Sequence, residues 1–270
     1  MAIRHLGEIF TPGALSLGRL FVGTLALGAV LLTRRWVAPT AGEWARLLAI
    51  GLLWFALYNV ALNAGERRVD AGTAALLIQL SPVLVALLAA GFLGERLTVW
   101  LGVGLTVAFA GVLLIATSTS GDEQRDPWGV VLCLVSAAAY AVSLVLQKPL
   151  TRRLSAVQIT WTACAVGTLA CLPFSASLVD GMRAASYVDL WWLVYLGLFP
   201  TAIAFSTYAF ALSHMSAGSL SVTTYLVPPI TVLMSWIVLD EVPPVLAYAG
   251  GALCLAGVAL ARRRPRAKVR

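Results

Sequence analysis

Apolar residues in this chain come in long runs, separated by short connections that carry nearly all the charge. Nine runs cover roughly 13–33, 43–63, 71–92, 98–117, 128–147, 156–177, 190–211, 217–238 and 245–261. Each is near the ~20 residues an α-helix needs to cross ~30 Å of hydrocarbon. The first run is too long for a signal-peptide core and lacks a cleavage site, so it counts as a span. The longest polar connection, 118–127, divides the chain into two parts, 1–120 and 121–270.

Composition fixes the class. Of 270 residues, 60% are apolar or aromatic and 11% are charged, against about 25% charged in a soluble domain. Such a chain cannot cover a water-facing surface, and the prediction is an all-α integral membrane protein. A net charge of +7 would suit nucleic acid, but the basic residues crowd into 262–270. That is a flank beside a membrane helix, with the lipid bilayer as its partner and no nucleic acid. Cys133, Cys164, Cys171 and Cys254 all fall inside apolar runs without metal or redox spacing, and read as packing residues.

The two parts repeat one another. At an offset of 146 residues, Gly51 matches Gly197, Gly72 matches Gly218, Pro82 matches Pro228, Glu95 matches Glu241 and Gly104 matches Gly250. Ala110-Gly111-Val112 likewise matches Ala256-Gly257-Val258. Upstream the offset is 144, where the pentapeptide at 22–26 returns at 166–170. Matching runs lie an odd number of crossings apart, so the second part enters the membrane from the opposite side, an inverted repeat common in secondary transporters. The run 128–147 has no counterpart in the first part. A lost opening helix is therefore expected, so that nine transmembrane helices represent a ten-helix (5+5) bundle. Arg34, Arg35, Arg46, Arg96, Lys148, Arg152, Arg153 and the C-terminal cluster fall on one side. Arg4, Arg67, Arg68, Arg125 and Arg183 fall on the other, which predicts a cytoplasmic C-terminus in a multi-pass cell-membrane protein.

The proline-containing run ending in Gly94-Glu95-Arg96-Leu97-Thr98, the following glycine-bearing run with Ala110-Gly111-Val112, and Arg19-Leu20-Phe21 resemble the EamA-like branch of the drug/metabolite transporter superfamily. The resemblance covers nearly the whole chain. It implies ten helices in two inverted five-helix repeats, a central substrate cavity, and export or exchange of small metabolites. The second part departs from the pattern, with Asp240-Glu241-Val242-Pro243 in place of a close copy of Gly-Glu-Arg.

The candidate chemistry begins at the prolines. Pro82 frees the carbonyl of Ile78 and Pro228 that of Thr224, and in hydrocarbon a freed carbonyl needs a partner. Gln79 and its counterpart Tyr225 stand nearby. The prolines are either packing kinks or hinges at a cavity wall. Ser136, Tyr140, Ser143 and Gln147 recur on one helical face, turned to a cavity or to another helix. Tyr58, Asn59 and Asn63 form a further polar group. Trp161 and Tyr208 belong either to the cavity or to the interfacial belt. Arg19, the one basic residue within a span, either snorkels to the surface or offers a fixed charge to a carboxylate or phosphate. Glu95 and Glu241 read as structural ends, each beginning the next turn or pairing with a neighbour such as Arg96. Helices 98–117 and 245–261 carry small residues at matching positions, for packing within the chain or in a homodimer.

No carboxylate lies at mid-span, so a buried proton relay is unsupported, and no Walker-type loop is present. His5 and His214 join no metal or triad constellation. The expectation is a non-enzymatic secondary transporter without cofactor or metal, exporting amino acids, organic acids or similar small-molecule substrates. Its cavity is expected between the runs at 43–63, 71–92, 128–147, 190–211 and 217–238, with the two parts rocking about it. Alternatives are a multidrug-type exporter of lipophilic compounds and a non-transporting truncated membrane protein.

Overall fold

In hydrocarbon every backbone N–H and C=O must be satisfied within the chain, and helices do this locally. The computed structural model describes residues 6–7, 9–69, 71–119, 126–239 and 245–263, and no strand occurs among them. Glu241, the Asp240–Pro243 departure, Arg4, His5, Arg125 and the basic run beyond 263 lie outside these residues.

The helices are α1 (Pro12–Leu31), α2 (Ala41–Gly65), α3 (Ala71–Ile78), α4 (Ser81–Leu93), α5 (Val99–Thr119) and α6 (Pro127–Leu150). They continue with α7 (Ala156–Ala170), α8 (Ser175–Ala184), α9 (Tyr187–His214), α10 (Ala217–Ser221), α11 (Val227–Leu239) and α12 (Val245–Ala261). Seven described segments are long and apolar enough to span a membrane, or eight if one bent pair is a single span. That pair replaces the continuous run expected over 156–177. The chain bends by 53° between Ala156–Ala170 and Leu172–Ala184, where Pro173 lies in a 3₁₀ turn, Leu172–Phe174. A proline there removes a helical donor and ends the ladder. The segment Val245–Ala261 is a shorter apolar helix.

The sequence offsets reappear in local structure. Thr11 and Ser155, 144 apart, cap α1 and α7 by accepting from Ala14 N and Gln158 N. Thr40–Glu43 and Ser186–Asp189, 146 apart, form capping boxes at the starts of α2 and α9, which occupy otherwise orphaned N–H groups. Inside α2 and α9, π-helical stretches begin at the matched glycines, Gly51–Tyr58 and Gly197–Ile203.

The chain forms two compact units, each drawing on both parts of the sequence. One comprises Met1–Asn63 and Val142–His214, the other Ala64–Ala141 and Met215–Arg270. In the first unit, α1 packs on α7 and α9, and α7 also packs on α2. A Cβ on Gly167 would stand 2.4 Å from the Phe55 Cβ, so only glycine permits that crossing. In the second unit, α5 and α12 lie along one another. A Cβ on Gly257 would stand 2.4 Å from Ala108 N and 2.6 Å from Gly104 O. The small-residue faces thus pack within the chain, as membrane helices do where backbones approach closely. Outside the spans, Asp126 accepts from Trp128 N at 2.9 Å and Arg68 Nη1 at 3.0 Å. The backbone N–H first, and the guanidinium second, hold its carboxyl below the usual carboxylate range.

Candidate functional site

Arg19 does not snorkel. It is 7% exposed, and its Nε donates to Thr201 Oγ1 at 3.1 Å, on the π-helical stretch of α9. Thr201 Oγ1 in turn donates to Leu196 O at 2.8 Å, a carbonyl five residues back. Widening a helix by one residue strands carbonyls from their ordinary donors, and here a threonine satisfies one while holding the arginine. No carboxylate pairs with Arg19 among the described residues. Tyr58, at the end of the π stretch of α2, lies within electrostatic reach of the guanidinium.

The matching place in α2 is organised differently. Asn59 Nδ2 donates to Trp54 O and Phe55 O, both at 3.0 Å, so Asn59 mends the wide stretch of its own helix. Phe55 stands at the position of Thr201, and Ala163 at that of Arg19. One joint is therefore charged and its counterpart is apolar. The rings of Phe55 and Trp54 meet Phe205 at 5.2 and 5.1 Å, and Tyr208 stands edge-on to Trp54 at 6.2 Å. Tyr208 belongs to this cluster. Asn63 Nδ2 donates to Ser16 Oγ at 3.2 Å and Pro12 O at 3.5 Å, tying α2 to α1. Thr24 and Thr168, counterparts at the 144 offset, share a hydrogen bond of 3.0 Å. Trp161 makes an edge contact with Trp36 at 5.9 Å.

In the second unit the prolines fall in the first turns of α4 and α11, where a missing N–H costs little. The helices break just before them, at 79–80 and over Val222–Leu226. The freed carbonyls have partners. Ser81 Oγ donates to Ile78 O at 2.7 Å. Thr224 O accepts from Val227 N and from Gln79 Nε2 at 3.1 Å. Tyr225 Oη donates to Gln79 O at 3.1 Å, and Ser221 Oγ reaches Pro82 O at 3.4 Å. Gln79 and Tyr225, both buried, thus bridge the two helix breaks to each other.

The Ser136, Tyr140, Ser143 and Gln147 stripe is buried along its length. Ser136 Oγ donates to Leu132 O of its own helix, whereas Gln147 Oε1, in the first unit, is buried without a partner. Glu95 neither pairs with Arg96 nor simply starts the next turn. Gly94, in the left-handed region at φ 67°, turns the chain so that Glu95 accepts from Ala217 N at 2.8 Å and Gly218 N at 3.1 Å. A carboxylate there complements the positive end of α10.

A family model, that of the EamA-like transporter family, matches residues 1–117 and 127–263. The chain belongs to the EamA-like transporter family. Among EamA-like relatives, a probable terminal-alkyne amino-acid exporter of Streptantibioticus cattleyicolor is 38% identical over 267 residues, covering 97% of this chain and 88% of its own. An uncharacterized transporter of Bacillus subtilis is 31% identical over 253 residues, covering 93% and 82%. A solved crystal structure, 20% identical, matches with a TM-score of 0.77 over 93% of this chain and 88% of its own, a likeness of fold. Membership in this transporter family and the apolar helices make this a multi-pass membrane protein.

The sequence reading missed Thr201, Gln158 and the two π stretches. The matched pair Gly51 and Gly197 marked where those stretches begin, but helix widening has no residue signature of its own.

Proposed function

We propose that this EamA-like protein exports small carboxylate-bearing metabolites, amino acids or organic acids, by alternating access between inverted repeats in the cell membrane, with its C-terminus cytoplasmic. The observation that carries the reading is Arg19, a buried guanidinium with one hydroxyl partner and no carboxylate among the described residues. A lone cation inside a membrane protein is costly, and a substrate carboxylate offsets that cost with charge-assisted hydrogen bonds. Tyr58, Tyr208 and the neighbouring aromatic cluster suit an apolar substrate body. We assign the unpartnered Gln147 Oε1 as acceptor for a substrate N–H or O–H. The name of the amino-acid exporter among the relatives supports the same substrate class. A lipophilic cation is disfavoured by a buried positive charge.

The polar groups divide by task. Asn59, Asn63, Gln79, Thr224 and Tyr225 have hydrogen bonds within the chain and hold its broken helices. Arg19 and Gln147, both in the first unit, are assigned to the substrate.

The test is uptake into everted vesicles. Arg19→Gln should lower transport of amino-acid or organic-acid substrates by about 10- to 100-fold, as expected for losing a hydrogen bond to a charged group. It should leave their neutral amide analogues nearly unchanged. Equal loss for both classes in a folded variant assigns Arg19 to structure and overturns the reading.

A further inference from the structure

A surface groove of about 940 Å³ lies in the first unit at the C-terminal end of α1. Its lining includes Leu25 and Leu32 together with Arg34, Trp36, Trp44 and Trp161. Its polar groups have one character. The Arg34 guanidinium and the three indole N–H groups are donors without hydrogen bonds or ion pairs to the described residues. Thr24, also in the lining, is engaged with Thr168 at 3.0 Å and Cys164 Sγ at 3.3 Å. No acidic side chain among the described residues lines the groove. Its ligand therefore presents an anionic head and an apolar body.

The wall is built in advance. Gln158, fully buried, clamps the connection after α1, accepting from Val37 N at 3.3 Å and donating to Val37 O at 2.6 Å. Arg153 Nη2 donates to Ala38 O at 2.7 Å and also pairs with Glu43. These bonds hold Trp36 edge-on against Trp161 at 5.9 Å. Gly28 leaves room for the indole, because a Cβ there would stand 3.0 Å from Trp161 Nε1. A rigid wall spares its ligand the entropy of ordering it.

Position selects the occupant. The groove lies where a spanning helix ends, and Leu32 and Leu25 in its lining are 89% and 58% exposed. Such side chains in a spanning helix meet acyl chains, and tryptophan with arginine at a span's end marks the headgroup level. We propose that this groove is a binding site for one anionic phospholipid, its phosphate on Arg34 and the indole N–H groups, its acyl chain along Leu25 and Leu32. The site is independent of what the protein transports.

Native mass spectrometry of the full-length protein in detergent, titrated with phosphatidylglycerol and phosphatidylcholine, tests it. The wild type should retain phosphatidylglycerol about fivefold more tightly, and Arg34→Gln should abolish that preference, the effect of one basic residue at a membrane surface. Arg183→Gln, at an exposed arginine outside the groove lining, should preserve it. Trp44→Ala should weaken retention of both lipids. Equal retention by the wild type, a preference that survives Arg34→Gln, or retention unchanged in Trp44→Ala would overturn the proposal. Displacement of the lipid by inorganic phosphate would also overturn it, by showing a site for a free anion. Arg34 is exposed, so its substitution leaves the fold intact, which gel filtration of the same samples verifies.

Discussion

Tyr225→Phe removes one oxygen from the interior and leaves the ring. Tyr225 is 0% exposed, and its hydroxyl donates to Gln79 O at 3.1 Å. In a continuous helix the donor to that carbonyl would be Val83 N, but Val83 N bonds Leu80 O at 3.1 Å instead. The variant therefore strands a buried carbonyl while its packing beside Ala86, Val112 and Cys254 is kept. Stranding a buried acceptor costs about 1–3 kcal/mol in water-soluble proteins, and hydrogen bonds within membranes measure about 0.6, at most about 1.7. The expected loss is about 1 kcal/mol, or roughly 2–4 °C in thermal unfolding of the detergent-solubilised protein. A second background makes the test specific. Pro82→Ala restores an N–H, lets α3 join α4, and returns Val83 N to Gln79 O. In that background Tyr225→Phe should cost less, by about 0.5 kcal/mol. A cost of zero in the wild type, or the same cost in both backgrounds, refutes the bridging role. If the breaks also serve as hinges, Pro82→Ala and Pro228→Ala reduce transport without loss of expression, and unchanged flux would reject that use.

The α5–α12 contact leaves no room for a side chain. Gly257→Leu should destabilise by about 3 kcal/mol or more and deplete folded protein in the membrane fraction, because the opposing atoms are backbone. Gly102→Ala on the same helix pair, with nothing within 4 Å, should be silent. Thr201→Val keeps the shape but loses both the grip on Arg19 and the bond to Leu196 O. It should cost about 1 kcal/mol and raise KM for carboxylate substrates, with Thr201→Ser restoring both; a KM unchanged in Thr201→Val would contradict a positioning role.

The apolar runs by themselves determined that this is a helical membrane protein, because the backbone must be satisfied within the bilayer and runs of about 20 residues fit spanning helices, not the shorter strands of a barrel. Matched glycines and prolines located the helix breaks and the close crossings in advance, since those residue types act locally, through a missing Cβ or a missing N–H. Pairings across the chain were not legible. Gln79 and Tyr225 stood out as counterparts, but that each serves the other's broken helix depends on the two breaks meeting in space. Glu95 read as a helix end, and only the fold set its carboxylate on the first N–H groups of α10. Arg19 could snorkel by sequence; the π stretch of α9 drew it inward to Thr201. Local backbone rules are written in residue types, whereas the partner of a polar side chain depends on which helices touch. That is decided by packing summed over the whole chain.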